Sequence, residues 1–239
     1  MDASQTHVGE QSLGWTAVTW RIVRGLAWGV VATCVIGVVL FVAGGTLDRS
    51  AWQVYCAVYG LLGFFFGLTA DPGLIKERKR PGPGGIDRGF VPIIKLVAWT
   101  VPIVAAMDVG RFHWSDTVAP ALQAAGLIGF AVPVSMVIWA IATNRFFSPV
   151  VRIQKERGHH LVRSGPYRFV RHPGYLGLIV GMLSSPPALG SWVSMIPAIV
   201  FVGVILHRTV TEDRFLQANL PGYSEYSASV RFRLLPGVW

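Results

Sequence analysis

The stretch His159–Tyr175, reading HHLVRSGPYRFVRHPGY, holds His160, His172, Tyr167, Tyr175, Arg163, Arg168 and Arg171 immediately before an apolar run. A second polar group, Arg208, Glu212 and Asp213, stands immediately after another apolar run. Polar chemistry thus gathers at one side of a membrane. His172 and Tyr175, three apart at the start of a helix, share a face, and Arg208 and Glu212, four apart, can pair along a helix. A helix opening at Pro173 offers free backbone N–H groups and the positive end of its dipole, a dock for a carboxylate, and Arg168 and Arg171 add charge there. Arginines at a bilayer boundary also contact headgroups, so it is the clustering that points to a site.

Other chemistries fit poorly. His159, His160 and His172 are close in sequence, but adjacent histidines rarely turn to one ion, and no H-E-x-x-H, cysteine pair or local carboxylate completes a set, so no metal is expected. Gly82-Pro83-Gly84-Gly85 lacks the Lys-Ser/Thr of a phosphate-binding loop. Ser164-Gly165 lacks the nucleophile elbow of a serine hydrolase. Cys34 and Cys56 lie inside apolar runs, which argues against a disulfide framework.

The elements that must position these residues are membrane helices. Hydrophobic residues make up 52% of the chain and charged residues 14%, with mean hydropathy +0.51; this predicts an all-α integral membrane protein of five to six transmembrane helices, folded as one domain over 1–239. Residues 1–20 read as polar and irregular. Spans are predicted at Leu26–Ala43, Trp52–Thr69, Val91–Met107 and Val118–Thr143, making 1–143 a four-helix part. The Pro/Gly-rich segment 71–89 is expected to hold no helix. Pro173–Ser185 and Leu189–His207 read as a C-terminal helical hairpin turning at Pro186-Pro187. With both termini and the segments 71–89 and 144–171 on one side, 18 of the 21 Lys and Arg residues share that side, and the charge bias makes it cytoplasmic. The net charge of +9 flanks apolar runs instead of forming a basic face, so membrane lipids, and no nucleic acid, are the expected partners.

The segment HHLVRSGPYRFVRHPGY with its RHPxY core, the Arg-xxx-Glu-acidic group and the ending GYSEYSASVRFRLLPGV, in this order around a hairpin, resemble the isoprenylcysteine carboxyl methyltransferase family. The resemblance covers the C-terminal part, 144–239. It implies S-adenosylmethionine as cofactor, bound in a cytoplasmic pocket between the last helices and the tail. It implies cofactor contacts from His159, His160, Leu161, Val162, Tyr167, His172, Pro173, Gly174, Tyr175 and Glu212, with Arg152 in register for one more. Arg208 resembles the arginine of the substrate side, and Arg171 and Glu212 join it on the catalytic side. The chain departs from the family pattern at Arg152, where a Gln is usual, at His160, where a Thr is, and at Asp213, which replaces a second Glu.

The reaction this implies is carboxyl methylation of an isoprenylcysteine-like acceptor reaching the site from the bilayer, with residues 1–143 on the substrate side. Methyl transfer from a sulfonium is an in-line displacement that demands alignment more than acid–base help. Phospholipid or other lipid methylation is the alternative, and an amine acceptor would want a general base. An NADPH-dependent sterol-type reductase is disfavoured because the stretch Phe215–Tyr223 lacks the Lys-Cys pattern of those enzymes. A non-catalytic lipid-binding scaffold is the remaining contrast.

Overall fold

The computed structural model describes residues 3–115 and 117–239, with side chains from Thr16 onward except within the undescribed position. All regular structure among the described residues is helical: α1 (Ala3–Gly44), α2 (Ser50–Thr69), α3 (Pro72–Lys79), α4 (Phe90–Met107), α5 (Pro120–Thr143), α6 (Pro173–Leu189), α7 (Met195–Asn219) and α8 (Tyr223–Ser229). Thr16–Gly44 of α1, α2, the stretch Phe90–Phe112, α5 and α7 are each long and apolar enough to cross a bilayer. The chain is an all-α, multi-pass membrane protein.

Small residues let the spans approach one another. On α2, a Cβ added to Gly67 would stand 2.7 Å from the Arg24 carbonyl of α1, and on α6 one added to Gly177 would stand 2.3 Å from the Pro133 carbonyl of α5. Without Cβ atoms there, backbones pack where lipid offers no hydrophobic drive to push helices together. The α1–α2 and α5–α6 pairs are accordingly the most extensively packed. A core of Ile36, Leu40, Trp52, Tyr55, Phe130 and Leu189 joins the two pairs. Inside it the Trp52 indole donates to the Leu189 carbonyl at 3.0 Å and Tyr55 meets Ser185 at 2.9 Å, so these polar atoms are satisfied without water.

Three sequence expectations are corrected. From Ala3 the N-terminal segment, expected to be irregular, is helical and continuous with the first span; it contains no proline, and the apolar helix that follows carries its geometry upstream. Its first two residues lie outside the described ones. The segment 71–89 does hold a helix, α3: Asp71 caps it by accepting the Leu74 N–H at 3.0 Å, and Pro72 takes the first-turn position that suits proline. The breakers Pro81 and Pro83 come only after its end. The hairpin does not turn at Pro186-Pro187, because both prolines lie in the last turn of α6 and cost it only two N–H donors. The turn is made at Gly190, whose φ of 85° is the left-handed conformation that ends helices, with the Ser191 N–H donating to the Pro186 carbonyl at 3.0 Å. At 17 residues, α6 is about 25 Å long.

This turn is pinned by Asp108, which is buried and accepts hydrogen bonds from the Ser115 N–H at 2.9 Å, the Ser191 hydroxyl at 2.6 Å and the Ser115 hydroxyl. At the other end of α6 the tail doubles back: the Arg171 and His172 amides donate to the carbonyls of Phe232 and Arg233 at 3.0 and 2.9 Å. The tail therefore covers the start of α6. Gly177→Val should cost about 1–3 kcal/mol of stability by forcing α6 off the Pro133 carbonyl; a thermal midpoint in detergent equal to the wild type's would contradict this packing.

Candidate functional site

A cleft of about 760 Å³, counted with its open mouth, lies where the loop 144–171, the start of α6, the end of α7 and α8 meet. One wall is the strip His159–Val162. This strip is held by Gln154, fully buried, whose amide nitrogen donates to the Phe146 carbonyl at 2.7 Å while its backbone N–H donates to His159 Nδ1 at 3.2 Å. His159 stacks on Phe146 at 4.5 Å, and His160 meets the same ring edge-on at 5.0 Å. Burial, then the neighbouring His160 and the Arg152 and Arg157 cations, push the His159 imidazole down to about 4, so it is neutral at physiological pH. The two histidines clasp one phenyl ring from different directions. Among the described residues no three His, Cys, Asp or Glu side chains gather as a metal site.

The opposite wall is built around Asp213, which has no solvent exposure. Its carboxylate accepts from Arg171 Nε and Nη2 at 2.8 and 3.1 Å, Arg233 Nε at 2.8 Å, the Tyr223 hydroxyl at 2.9 Å and Gln217 at 3.0 Å, with His172 Nε2 at 3.3 Å. Arg171 spends its remaining nitrogen on the tail, Nη1 donating to the carbonyls of Val230 and Arg231 at 2.9 Å each. Thus α7, the start of α6, α8 and the tail are tied to one carboxylate. Tyr226 of α8 donates to the Tyr167 carbonyl at 2.7 Å, which fixes the segment before α6. Burial raises the phenols of Tyr167, Tyr223 and Tyr226 above their ordinary values, so all three stay protonated donors.

At the inner end of the cleft Arg208 Nε donates to the Tyr175 hydroxyl at 2.7 Å, and that hydroxyl donates to Glu212 Oε2. The Arg208–Glu212 pair implied by i, i+4 spacing is only at 4.0 Å, with the Tyr175 hydroxyl between them. Glu212 Oε1 accepts no hydrogen bond among the described residues, and the side chain is about a quarter exposed (25%). Arg208 Nη2 donates to the Pro149 carbonyl at 2.6 Å, and Nη1 stands 2.7 Å from Asp87 Oδ2. That last contact is off-line for a hydrogen bond, leaving Asp87 Oδ2 a buried acceptor held by charge alone.

All ten residues that the family resemblance assigned to the cofactor line this cleft, and Arg152 and Arg171 border it too, whereas Arg208 stands behind Tyr175 and does not. Arg152 is already committed: its guanidinium makes a two-point pair with Glu77 at 2.9 and 2.8 Å and reaches Glu156. Burial opposes ionisation of Glu77, but Arg152, the Gly82 N–H and Ser148 outweigh it and hold the carboxyl down at about 2. Arg171 is committed in the same way to Asp213 and the tail. Sequence reasoning missed Glu77 and Asp87, both in the segment expected to be without structure. It also left Phe146, Tyr223 and Tyr226 unassigned, although the two tyrosines belong to the GYSEY motif.

Comparison with known proteins bears on the same region. Residues 117–218 match the model of the isoprenylcysteine carboxyl methyltransferase (ICMT) family. The likeness to this family is confined to that part of the chain. It is 27% identical over 157 residues to the cobalt-zinc-cadmium resistance protein CzcN of Cupriavidus metallidurans, covering 61% of this chain and 67% of that protein. It is 29% identical over 92 residues to the protein-S-isoprenylcysteine O-methyltransferase of Schizosaccharomyces pombe, covering 38% of this chain and 39% of that one. With protein-S-isoprenylcysteine O-methyltransferase A of Arabidopsis thaliana the identity is 29% over 92 residues, covering 38% and 47%. The match thus spans less than half the length of either methyltransferase. The matched region contains the His159–Tyr175 strip and both Arg208 and Glu212, and stops short of α8 and the tail.

His159 gives a pH signature. Its folded value of about 4 lies below the ordinary 6.5, so its contribution to stability is complete above pH 6.5 and is lost as pH falls toward 4. The wild type should lose stability across that window relative to His159→Gln, and parallel melting curves for the two from pH 7 to 4.5 would contradict a part-buried neutral imidazole.

Proposed function

We propose that this protein is an S-adenosylmethionine-dependent methyltransferase whose acceptor is a lipophilic carboxylate of the isoprenylcysteine class. The observation that carries the reading is the convergence of the assigned cofactor residues on one cleft that touches an apolar helix cluster through a shared residue. Tyr175 lines the cleft and also packs with Ile179, Phe201 and Ile205 between α6 and α7. A polar donor on one side of Tyr175 and an apolar acceptor on the other would meet at its hydroxyl.

The residues present fit the cofactor. Glu212 Oε1 is available to accept from ribose hydroxyls or an ammonium. The rings of Phe146, Tyr167 and Tyr223 supply faces for an adenine or a sulfonium cation. When bound, the cofactor supplies an electrophilic methyl group on positively charged sulfur. The chain's part is to hold the acceptor oxygen in line with that methyl and to keep water out. Arg208 and Tyr175 fix the Glu212 carboxylate in one rotamer, so the binding group is set before the ligand arrives. A carboxylate acceptor needs no base. Methylation of a lipid amine is the second reading, and the Glu212–Tyr175 pair is the group that favours it, since it could take the amine's proton.

The charge asymmetry along the chain supports placing the cleft and both termini on the cytoplasmic side. The cofactor would then enter from the cytoplasm and the acceptor laterally, between α4, α6 and α7.

Calorimetry on purified protein tests this reading. Saturable binding of S-adenosylmethionine, weakened tenfold or more by Glu212→Ala, is expected, because removing a charge-assisted acceptor costs about 1.5–3 kcal/mol. Arg208→Lys should weaken it less, since an ammonium keeps the charge but not the fork to Tyr175 and Pro149. Binding of NADPH in place of S-adenosylmethionine would overturn the proposal.

A further inference from the structure

Of the arginines around the loop 144–152 that forms the floor of the cleft, Arg78, Arg152 and Arg208 have their charges met unequally. Arg152 is paired with Glu77 and Glu156. Arg208 is paired with Asp87 at 2.7 Å and has its other nitrogens on Tyr175 and the Pro149 carbonyl. Arg78, on α3, has a single long hydrogen bond, from Nη1 to the Phe147 carbonyl at 3.3 Å, and no carboxylate in ion-pair range among the described residues. It is half-buried, and its guanidinium lies 5.9 Å from the centre of the Phe147 ring.

Position gives this cation its meaning. Phe147 lines the cleft and fills the space beside Gly174, where an added Cβ would stand 2.5 Å from its ring. Through the Phe147 ring the Arg78 guanidinium thus borders the start of α6 at Gly174; burial lowers its pKa from the ordinary value, but an arginine stays charged. A guanidinium taken partly out of water and left with one weak acceptor is costly unless an anion completes it. Arg208, which the family resemblance placed on the substrate side, has no such need, because Asp87 already neutralises it.

We propose that Arg78 binds the carboxylate of the acceptor, an inference that rests on the methyltransferase reading above. The N-terminal part thereby contributes a substrate-binding residue through α3. The balance of the reaction agrees. An acceptor carboxylate oxygen forms the new O–CH3 bond, the S–CH3 bond breaks with its electron pair left on sulfur, the negative and positive charges cancel, and no proton moves. The product ester has lost the charge that Arg78 holds, which favours its release.

The test uses the full chain in phosphatidylcholine nanodiscs, with N-acetyl-S-farnesylcysteine and its carboxamide as probes. The wild type should bind the acid at least tenfold more tightly than the amide. Arg78→Gln should bring that ratio to about one while leaving S-adenosylmethionine affinity unchanged, which also reports that the variant is folded. Arg78→Lys, a second variant that keeps the charge, should retain part of the preference. A preserved acid preference in Arg78→Gln, its loss in Arg208→Gln alone, or its absence from the wild type would overturn the inference. So would an effect of Arg78→Gln confined to anionic lipid, seen as altered phosphatidylglycerol binding with an unchanged acid-to-amide ratio. Failure of the wild type to bind S-adenosylmethionine would instead sink the methyltransferase reading itself.

Discussion

The buried carboxylate of Asp213 is the interaction on which the rest of the site depends. Two arginines, one histidine, one tyrosine and one glutamine converge on it from α7, the start of α6, α8 and the tail. A carboxylate removed from water is stable only with its lone pairs filled and its charge met, and here both conditions hold. The converse matters as much: removing the carboxylate would strand Arg171, a buried cation, and a broken buried pair costs about 3–5 kcal/mol. The tail therefore stays closed over α6, and the wall of the cleft exists because it does.

The polar groups divide the work by how fully they are satisfied. Asp213 with Arg171, and Glu77 with Arg152, are saturated pairs that shape walls. Glu212, which lines the cleft, is half satisfied, with one oxygen fixed by Tyr175 and the other accepting no hydrogen bond among the described residues, as the binding role proposed for it requires. On the opposite end of α6, Asp108 is saturated by serine hydroxyls and a backbone N–H. It anchors the turn so that the short helix keeps its depth. The site is thus rigid where it is structural and open where it is to bind.

Much of this was legible in the sequence because local chemistry decided it. Long apolar runs marked the spans, Pro173 marked the start of α6, and His159–Val162, Tyr167 and His172–Tyr175 of the polar strip line one cleft. What escaped depended on context. The prolines after Lys79 masked a helix capped by Asp71-Pro72 before them, and with it Glu77 and Arg78. Pro186-Pro187 read as a turn because a proline pair usually ends a helix, yet the last turn of α6 tolerates it and Gly190 makes the turn. The partners of Arg171 escaped for a different reason: Asp213 and the carbonyls of Val230 and Arg231 are distant in the chain, and no local pattern reveals them. Spacing likewise placed Arg208 beside Glu212 but could not show Tyr175 between them, nor Asp87 arriving from the segment before α4.

Hydrogen–deuterium exchange of the protein in nanodiscs, with and without saturating S-adenosylmethionine, tests the central claim most directly, because it reports where the ligand sits as well as whether it binds. The account predicts slowed exchange in 144–175 and 212–230, the walls of the cleft, with α1 and α2 unchanged. Unaltered exchange in those two segments at saturating ligand, or protection confined to the N-terminal spans, would contradict it.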